Sequence, residues 1–222
     1  MPSHLSPIAR FIAFSSAALL SLATAAQAGP LAFSGWTEQR FHLFSKVDFR
    51  QGGGTLGFTS DGAASLIWQR VPPTDQGSKS ATWAWAVTQS VPPTDLTKKG
   101  GDDRNAAIYF VFLPPEIAKA NAGSSNIRGL LANRDARVLV YVWGGAHKRG
   151  QVLASPYLGA RGKTVILRGA GTGSFSETVD LAGDFARGFG TAPGALVGVA
   201  VSADSDDTGT KLSGQISGLA LR

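Results

Sequence analysis

The chain has no cysteine, one methionine and three histidines among 222 residues. Without cysteine it has neither a disulfide nor a thiol for a lipid anchor, although an exported compartment would permit the former. A core of this size does not need that staple. Beyond the N-terminal segment the histidines are His42 and His147, and neither has metal-ligand spacing. A Gly-x-Ser-x-Gly nucleophile elbow and a phosphate-cradling Gly-x4-Gly-Lys motif are both missing. The run 169–173 is glycine-rich, but it follows no dinucleotide-binding pattern and reads as a turn. Alternating strand and helix units are absent too, which excludes an open parallel sheet. Charge is modest, with 21 Lys and Arg against 15 Asp and Glu. The basic residues are scattered (Lys98, Lys99, Lys148, Arg149, Arg161, Lys163), as on a solvated surface. Weak attraction to anionic glycans or membrane surfaces is the alternative. No basic helix is predicted, so nucleic acid is not an expected partner.

What is present begins with residues 1–28, which read as a secretory signal peptide. Arg10 supplies the positive region, residues 11–22 are apolar, and Ala26-Gln27-Ala28 is a small-x-small cleavage site. The apolar run is shorter than the roughly 20 residues of a membrane helix, and no second such run follows. Cleavage after Ala28 would leave 194 of the 222 residues as residues 29–222, with the formal charge falling from +6 to +5 on loss of Arg10. That length suits one all-β domain. The expectation is a soluble periplasmic or extracellular protein with no membrane span after cleavage.

Alternation then marks the strands. In 39–49, Phe41, Leu43, Val47 and Phe49 share one face, as in a half-buried strand. Ala64, Leu66 and Trp68 line a face of another, after an Asp61-Gly62 turn. Trp83, Trp85 and Val87 share a face, with Thr82, Ala84 and Ala86 opposite. Residues 108–112 are apolar on both faces, which predicts a central strand. In 138–143 the valines at 138, 140 and 142 face one way, and Leu139, Tyr141 and Trp143 the other. Further strands are predicted at 55–58, 163–168, 196–201 and 215–221. The stretches 71–75 and 91–95 are both Val-Pro-Pro-Thr-Asp, and Pro-Pro ends pairing at each. A helical turn is predicted at Pro115, with proline at its favoured position. Residues 121–126 read as a loop. Leu181, Phe185 and Phe189 predict a short amphipathic helix, capped by Asp180 and ended by Gly190. The sum is an all-β fold: a two-sheet antiparallel β-sandwich, jelly-roll-like, with one or two short helices.

Two acidic corners carry the candidate chemistry. Asp102 and Asp103 precede the 108–112 strand, while Asp204, Asp206 and Asp207 follow the 196–201 strand. Strand ends in a sandwich gather at two edges, so the corners are expected to meet. Adjacent carboxylates repel unless a cation or an arginine compensates them. A hard cation such as Ca2+ takes about 6–8 oxygen ligands, which makes these five aspartates a candidate calcium site. Aspartate and glycine also simply favour turns. An EF-hand fails, because its twelfth position would be Gln215 rather than glutamate. A dehalogenase-type phosphatase loop fails too, because it needs a parallel sheet and further acidic and basic elements, and only 13 residues follow Gly209. Trp83, Trp85 and Trp143 are candidate ligand-binding residues, since aromatic faces stack on sugar rings; a sandwich core is the competing place for them. No catalytic residue is identified, and neither Glu116 nor Glu177 sits in a convincing acid–base pair.

Trp83-x-Trp85 with Val87, Lys99-Gly-Gly-Asp102-Asp103 and Ala107-Ile-Tyr-Phe-Val-Phe112 together resemble the bacterial exported family known as domain of unknown function 3047. Val140-Tyr-Val-Trp143, Asp184-Phe185 with Phe189-Gly190, and Ala203-Asp-Ser-Asp-Asp-Thr-Gly209 continue the resemblance in order. It spans roughly residues 41–221. Asp207 stands where the family pattern usually has asparagine. Residues 114–134 and 152–161 follow the pattern poorly. The resemblance implies a jelly-roll sandwich like those of carbohydrate-binding modules, and carries over no catalytic residue. The expected function is an exported binding module for a glycan or other envelope ligand, with a structural calcium site. The alternatives are an envelope glycan hydrolase or lyase using the aspartates, or a structural periplasmic protein.

Overall fold

Two sheets carry nearly all the regular structure. The structure, a computed structural model, describes residues 1, 29–40, 46–122 and 126–222. The proposed signal segment, and Phe41, His42 and Leu43 of the first expected strand, lie outside the described residues. In chain order the elements are β1 (Thr37–Arg40), β2 (Asp48–Gly52), β3 (Thr55–Asp61), β4 (Ala64–Arg70), β5 (Ser80–Gln89), β6 (Arg104–Leu113), α1 (Pro115–Ala120), α2 (Ile127–Ala132), β7 (Arg137–Trp143), β8 (Val152–Ser155), β9 (Gly159–Arg168), β10 (Gly173–Asp180), α3 (Leu181–Phe189), β11 (Ala195–Asp204) and β12 (Lys211–Leu221). One sheet has seven strands in the order β1-β4-β11-β6-β7-β9-β8, the other five in the order β10-β5-β12-β3-β2. Neighbouring strands are antiparallel except β7 and β9, which run parallel. The protein is therefore a mostly antiparallel two-sheet sandwich.

Period-two alternation explains the packing. Trp83, Trp85 and Val87 of β5 point into the space between the sheets, where they join Ile108 and Phe110 of β6, Leu139, Tyr141 and Trp143 of β7, and Ile216 of β12 in one buried cluster. The Trp83–Trp85 and Trp85–Trp143 ring pairs have centroids 5.5 Å apart in edge-on arrangements, the favoured packing of aromatic quadrupoles. β6 is the middle strand of its sheet, in keeping with its unbroken apolar run. The opposite faces of β4, β6, β7 and β11 form a second cluster with Leu66, Val111, Val138, Val140, Val142 and Ala200. That cluster draws on the seven-stranded sheet alone, so it covers the sheet's outer face, with Ala118 of α1 and Leu130 of α2 packed on it.

Some expectations need correction. The described ends of the 39–49 stretch do not make one strand: β1 pairs with β4 in the large sheet, and β2 pairs with β3 in the small one. The 173–180 segment carried no strand expectation and is mostly polar, yet it forms β10 against β5, with only Glu177 and Val179 buried. α2 was not among the expected elements; it begins just after the 121–126 stretch read as a loop, and Asn126 caps it by accepting the Gly129 N–H at 3.1 Å. The α3 signals stand as read: Asp180 accepts the Gly183 N–H at 2.9 Å, and Gly190 ends the helix at φ 74°. The twin Val-Pro-Pro-Thr-Asp turns anchor buried Val71 and Val91 but follow strands of different sheets, and only the first winds into a 3-10 turn. Among the described residues no helix is long and apolar enough to cross a membrane.

Candidate functional site

β6 begins and β11 ends at the same edge. Arg104 and Asp204 are cross-strand partners there, beside a register shift between Ser202 and Asp204. A bulge of this kind bends a strand and re-aims its side chains. The placement brings the two acidic corners together. Asp103 is fully buried. One of its oxygens accepts the Asp207 N–H at 3.2 Å; the other accepts the Thr208 N–H at 2.7 Å and the Thr208 hydroxyl at 2.5 Å. Hydrogen bonds to a charged acceptor are the strong kind. Asp103→Ala is expected to cost about 2–4 kcal/mol, read from the urea midpoint, against about 1 kcal/mol for Thr208→Val. The backbone fits closely here: Gly144 has φ 154°, and a Cβ on it would stand 2.7 Å from Arg104 Cα.

Arg104 supplies the compensation that the paired carboxylates need. Its Nη1 donates to Asp102 Oδ2 and to the Asp102 carbonyl, both at 2.8 Å, and pairs with Asp204 Oδ2 at 3.1 Å. Its Nη2 donates to Tyr109 Oη at 3.0 Å, and that hydroxyl also meets Ser202 Oγ at 3.1 Å. Burial opposes the guanidinium charge, yet the Tyr109, Asp204 and Asp102 oxygens hold it more firmly protonated than a free arginine. Asp102 Oδ1 in turn accepts the Tyr157 hydroxyl at 2.8 Å. Burial and this bond both push the Tyr157 phenol up.

Arg104 does not offset the whole of the negative charge gathered here. Burial pushes Asp204 up to about 8 against the pull of Arg104; a hydrogen bond shared with Asp206, and the charges of Asp206 and Asp103, add to the rise. Asp204 Oδ1 is buried and meets no hydrogen-bond partner among the described residues, an arrangement that disfavours the charged carboxylate. Asp207 is also raised, by burial and then by Asp206 and Asp103. Asp103, Asp206 and Asp207 each bring one carboxylate oxygen within 4.8 Å of the other two. Of the five aspartates proposed as metal ligands, these three converge, while Asp102 and Asp204 turn to Arg104.

The junction forms one end of a cavity of about 540 Å³ on the outer face of the large sheet. Asp102, Arg104, Tyr109, Asp204, Asp206 and Asp207 line its polar end. Its floor is the outer row of β4, β6, β7 and β11, including Leu66, Val111, Val140 and Val142. Pro156, Tyr157 and Leu158, between β8 and β9, and Leu131 of α2 form walls. Arg161 fixes that side by donating to the Leu131 and Asn133 carbonyls at 2.6 and 3.0 Å. Tyr157 is 59% exposed at the rim, with the Lys99 ammonium 5.5 Å from its ring centroid.

The tryptophan expectation is overturned. Trp83, Trp85 and Trp143 are 2%, 1% and 1% exposed in the cluster between the sheets, and none of them lines the cavity. Alternation places all three on the inner side of their strands, where large rings fill the space between the sheets. Glu177 is buried as well, held by Arg168 at 2.7 Å, Arg149 at 3.0 Å and the Trp85 indole at 3.3 Å, which makes it a brace between β9, β10 and β5. His147 accepts the Leu96 N–H at 3.2 Å and serves the loop; His42 lies outside the described residues. Sequence reasoning missed Arg104, Tyr109 and Tyr157. The arginine was within reach, because it directly follows two aspartates that required compensation. Tyr157 offered no signal, since its partner Asp102 is 55 residues away.

Comparison with known proteins gives the following. The xyloglucanase domain of NopAA, a type three effector from Sinorhizobium fredii in complex with cellobiose, is 8% identical, with 88% of this chain and 95% of that one covered at a TM-score of 0.42. A loop-swap mutant of Necallimastix patriciarum Xyn11A is 11% identical, with 86% and 97% covered at a TM-score of 0.35. What those proteins bind is theirs alone and is not carried to this site. No curated protein matches the sequence. The family model described as "Protein of unknown function (DUF3047)" matches residues 34–219, and so the chain belongs to the DUF3047 family.

Proposed function

We propose that the protein is an exported β-sandwich binding module whose ligand is a saccharide held in the outer-face cavity. The observation that carries this reading is the meeting of a ligand-sized cavity with a cluster of oriented polar groups at one end. Small-molecule sites combine a mostly apolar concavity of roughly 300–1,000 Å³ with a few fixed polar groups. Asp102, Asp206 and Asp207 offer acceptors to sugar hydroxyls, Arg104 offers donors, and Tyr157 offers the exposed ring that the buried tryptophans do not. Glycan-array binding of the purified protein tests this. Tyr157→Ala is expected to weaken saccharide binding about three- to tenfold in calorimetry and to lower stability by about 1 kcal/mol, because Asp102 Oδ1 loses its donor. Saccharide binding that ignores the substitution would move the site elsewhere.

Calcium belongs to the same reading as a structural ion at Asp103, Asp206 and Asp207. The donors are hard oxygens, as calcium prefers, and backbone carbonyls and water would complete the shell. At 100 times its dissociation constant an ion adds about 2.7 kcal/mol of stability, or about 5–10 °C in a domain of this size. Melting in chelator and then in excess calcium should separate by that amount; superimposed curves would remove calcium. The hydrolytic alternative is less favoured. Two carboxylates flanking a glycosidic bond need about 5–9.5 Å and freedom to act. Here Asp102 and Asp204 share one guanidinium nitrogen, at 2.8 and 3.1 Å.

A further inference from the structure

We propose that the ligand of this cavity is an amphiphile: a saccharide head at the aspartate end joined to an aliphatic body lying along the valine and leucine floor. The inference rests on the saccharide reading and extends it to the half of the cavity that reading leaves without a role. Leu66, Val111, Val140, Val142, Leu131 and Leu158 line that half, where Thr164, the register partner of Val140, and Ser155 add only hydroxyls and no charge. A free sugar carries hydroxyls around its whole ring, and seating it wholly on such a floor would leave several of them without partners, each at a cost. An alkyl chain has no such cost and gains from leaving water.

The floor is built to stay in place. It belongs to four neighbouring strands of the large sheet and to the second buried cluster, so it is backed by packed side chains. The wall is fixed independently, because Arg161 ties the Leu131 and Asn133 carbonyls of the α2 end to β9. The charged groups gather at the opposite end, where Arg104, Asp102 and Tyr157 form a continuous hydrogen-bonded chain, while Thr164 adds one hydroxyl residue beside Val140. A cavity with one polar and one aliphatic end selects a molecule with the same division. The volume of about 540 Å³ accommodates a monosaccharide and a medium alkyl chain together.

The test is a calorimetric series on the purified protein with methyl, hexyl, octyl and decyl glucoside below their micelle concentrations. Affinity is expected to rise about fourfold per added methylene until the floor is covered, then to level off. Leu158→Ala and Val140→Thr should flatten the rise with chain length, with melting temperature confirming that each variant folds. Equal affinity across the series would overturn the amphiphile and leave the saccharide reading standing. Decyl sulfate binding as tightly as decyl glucoside would overturn the saccharide head and keep the aliphatic body. Failure of every probe to bind would overturn both.

Discussion

Arg104→Ala is expected to destabilise the protein by about 3–5 kcal/mol, the cost of removing one partner from a buried ion pair. The size follows from what the substitution leaves behind. Asp102 and Asp204 are 4% and 8% exposed, and both lose the nitrogen that now binds them at 2.8 and 3.1 Å. Tyr109 Oη loses its donor as well. Lysine restores the charge but not the fork, because one ammonium cannot reproduce the two-nitrogen geometry that reaches Asp102, Asp204 and Tyr109 at once. Arg104→Lys is therefore expected to recover part of the loss and no more. Urea unfolding of the two variants measures both. The fork ties Asp102, Asp204 and Tyr109 together at the polar end of the cavity.

Asp204 is expected to dominate the pH dependence of stability in the metal-free protein. Its folded value of about 8 lies above the ordinary 3.8, so the native state keeps a proton that the unfolded chain releases. Its contribution is fully present below pH 4 and is lost as pH rises through 8. In that window the slope approaches about −1.4 kcal/mol per pH unit for one proton. The groups facing it are Arg104, which opposes the shift, and Asp206 and Asp103, which enlarge it. The whole loss amounts to several kcal/mol. Asp204→Asn keeps the size and removes the proton, so the difference in stability between variant and parent should swing toward the variant from pH 4 to pH 8. Unfolding curves in chelator at four or five pH values give that difference directly. A constant difference would mean that Asp204 is ionised in the folded protein throughout.

Much of the architecture was legible because it depends on local pattern. The alternation of Trp83, Trp85 and Val87, and of Leu139, Tyr141 and Trp143, grouped the residues that share a face correctly, but did not say that this face turns inward. The α3 caps were legible for the same reason, since Asp180 and Gly190 act within a few residues of themselves. What escaped depends on partners far along the chain. β10 becomes a strand because β5 offers it an edge, and nothing within 173–180 announces that. The convergence of the two acidic corners was open to reasoning because one directly precedes a strand and the other directly follows one, and strand ends gather at two edges of a sandwich. The share taken by Arg104 divided the five aspartates, two turning to it and three toward one another. The cavity was not legible, because its wall comes from α2 and the turn after β8, where the sequence shows little periodicity.

The most direct test of the central claim, that both acidic corners form the polar end of one ligand cavity, is amide and methyl chemical-shift mapping during titration with decyl glucoside. The account expects the amides of Asp204 to Thr208 and of Tyr157 and Leu158 to move together with the methyls of Val140 and Val142, all with one dissociation constant. Shifts confined to the outward face of the five-stranded sheet, with Thr208 and Val140 still, would contradict it.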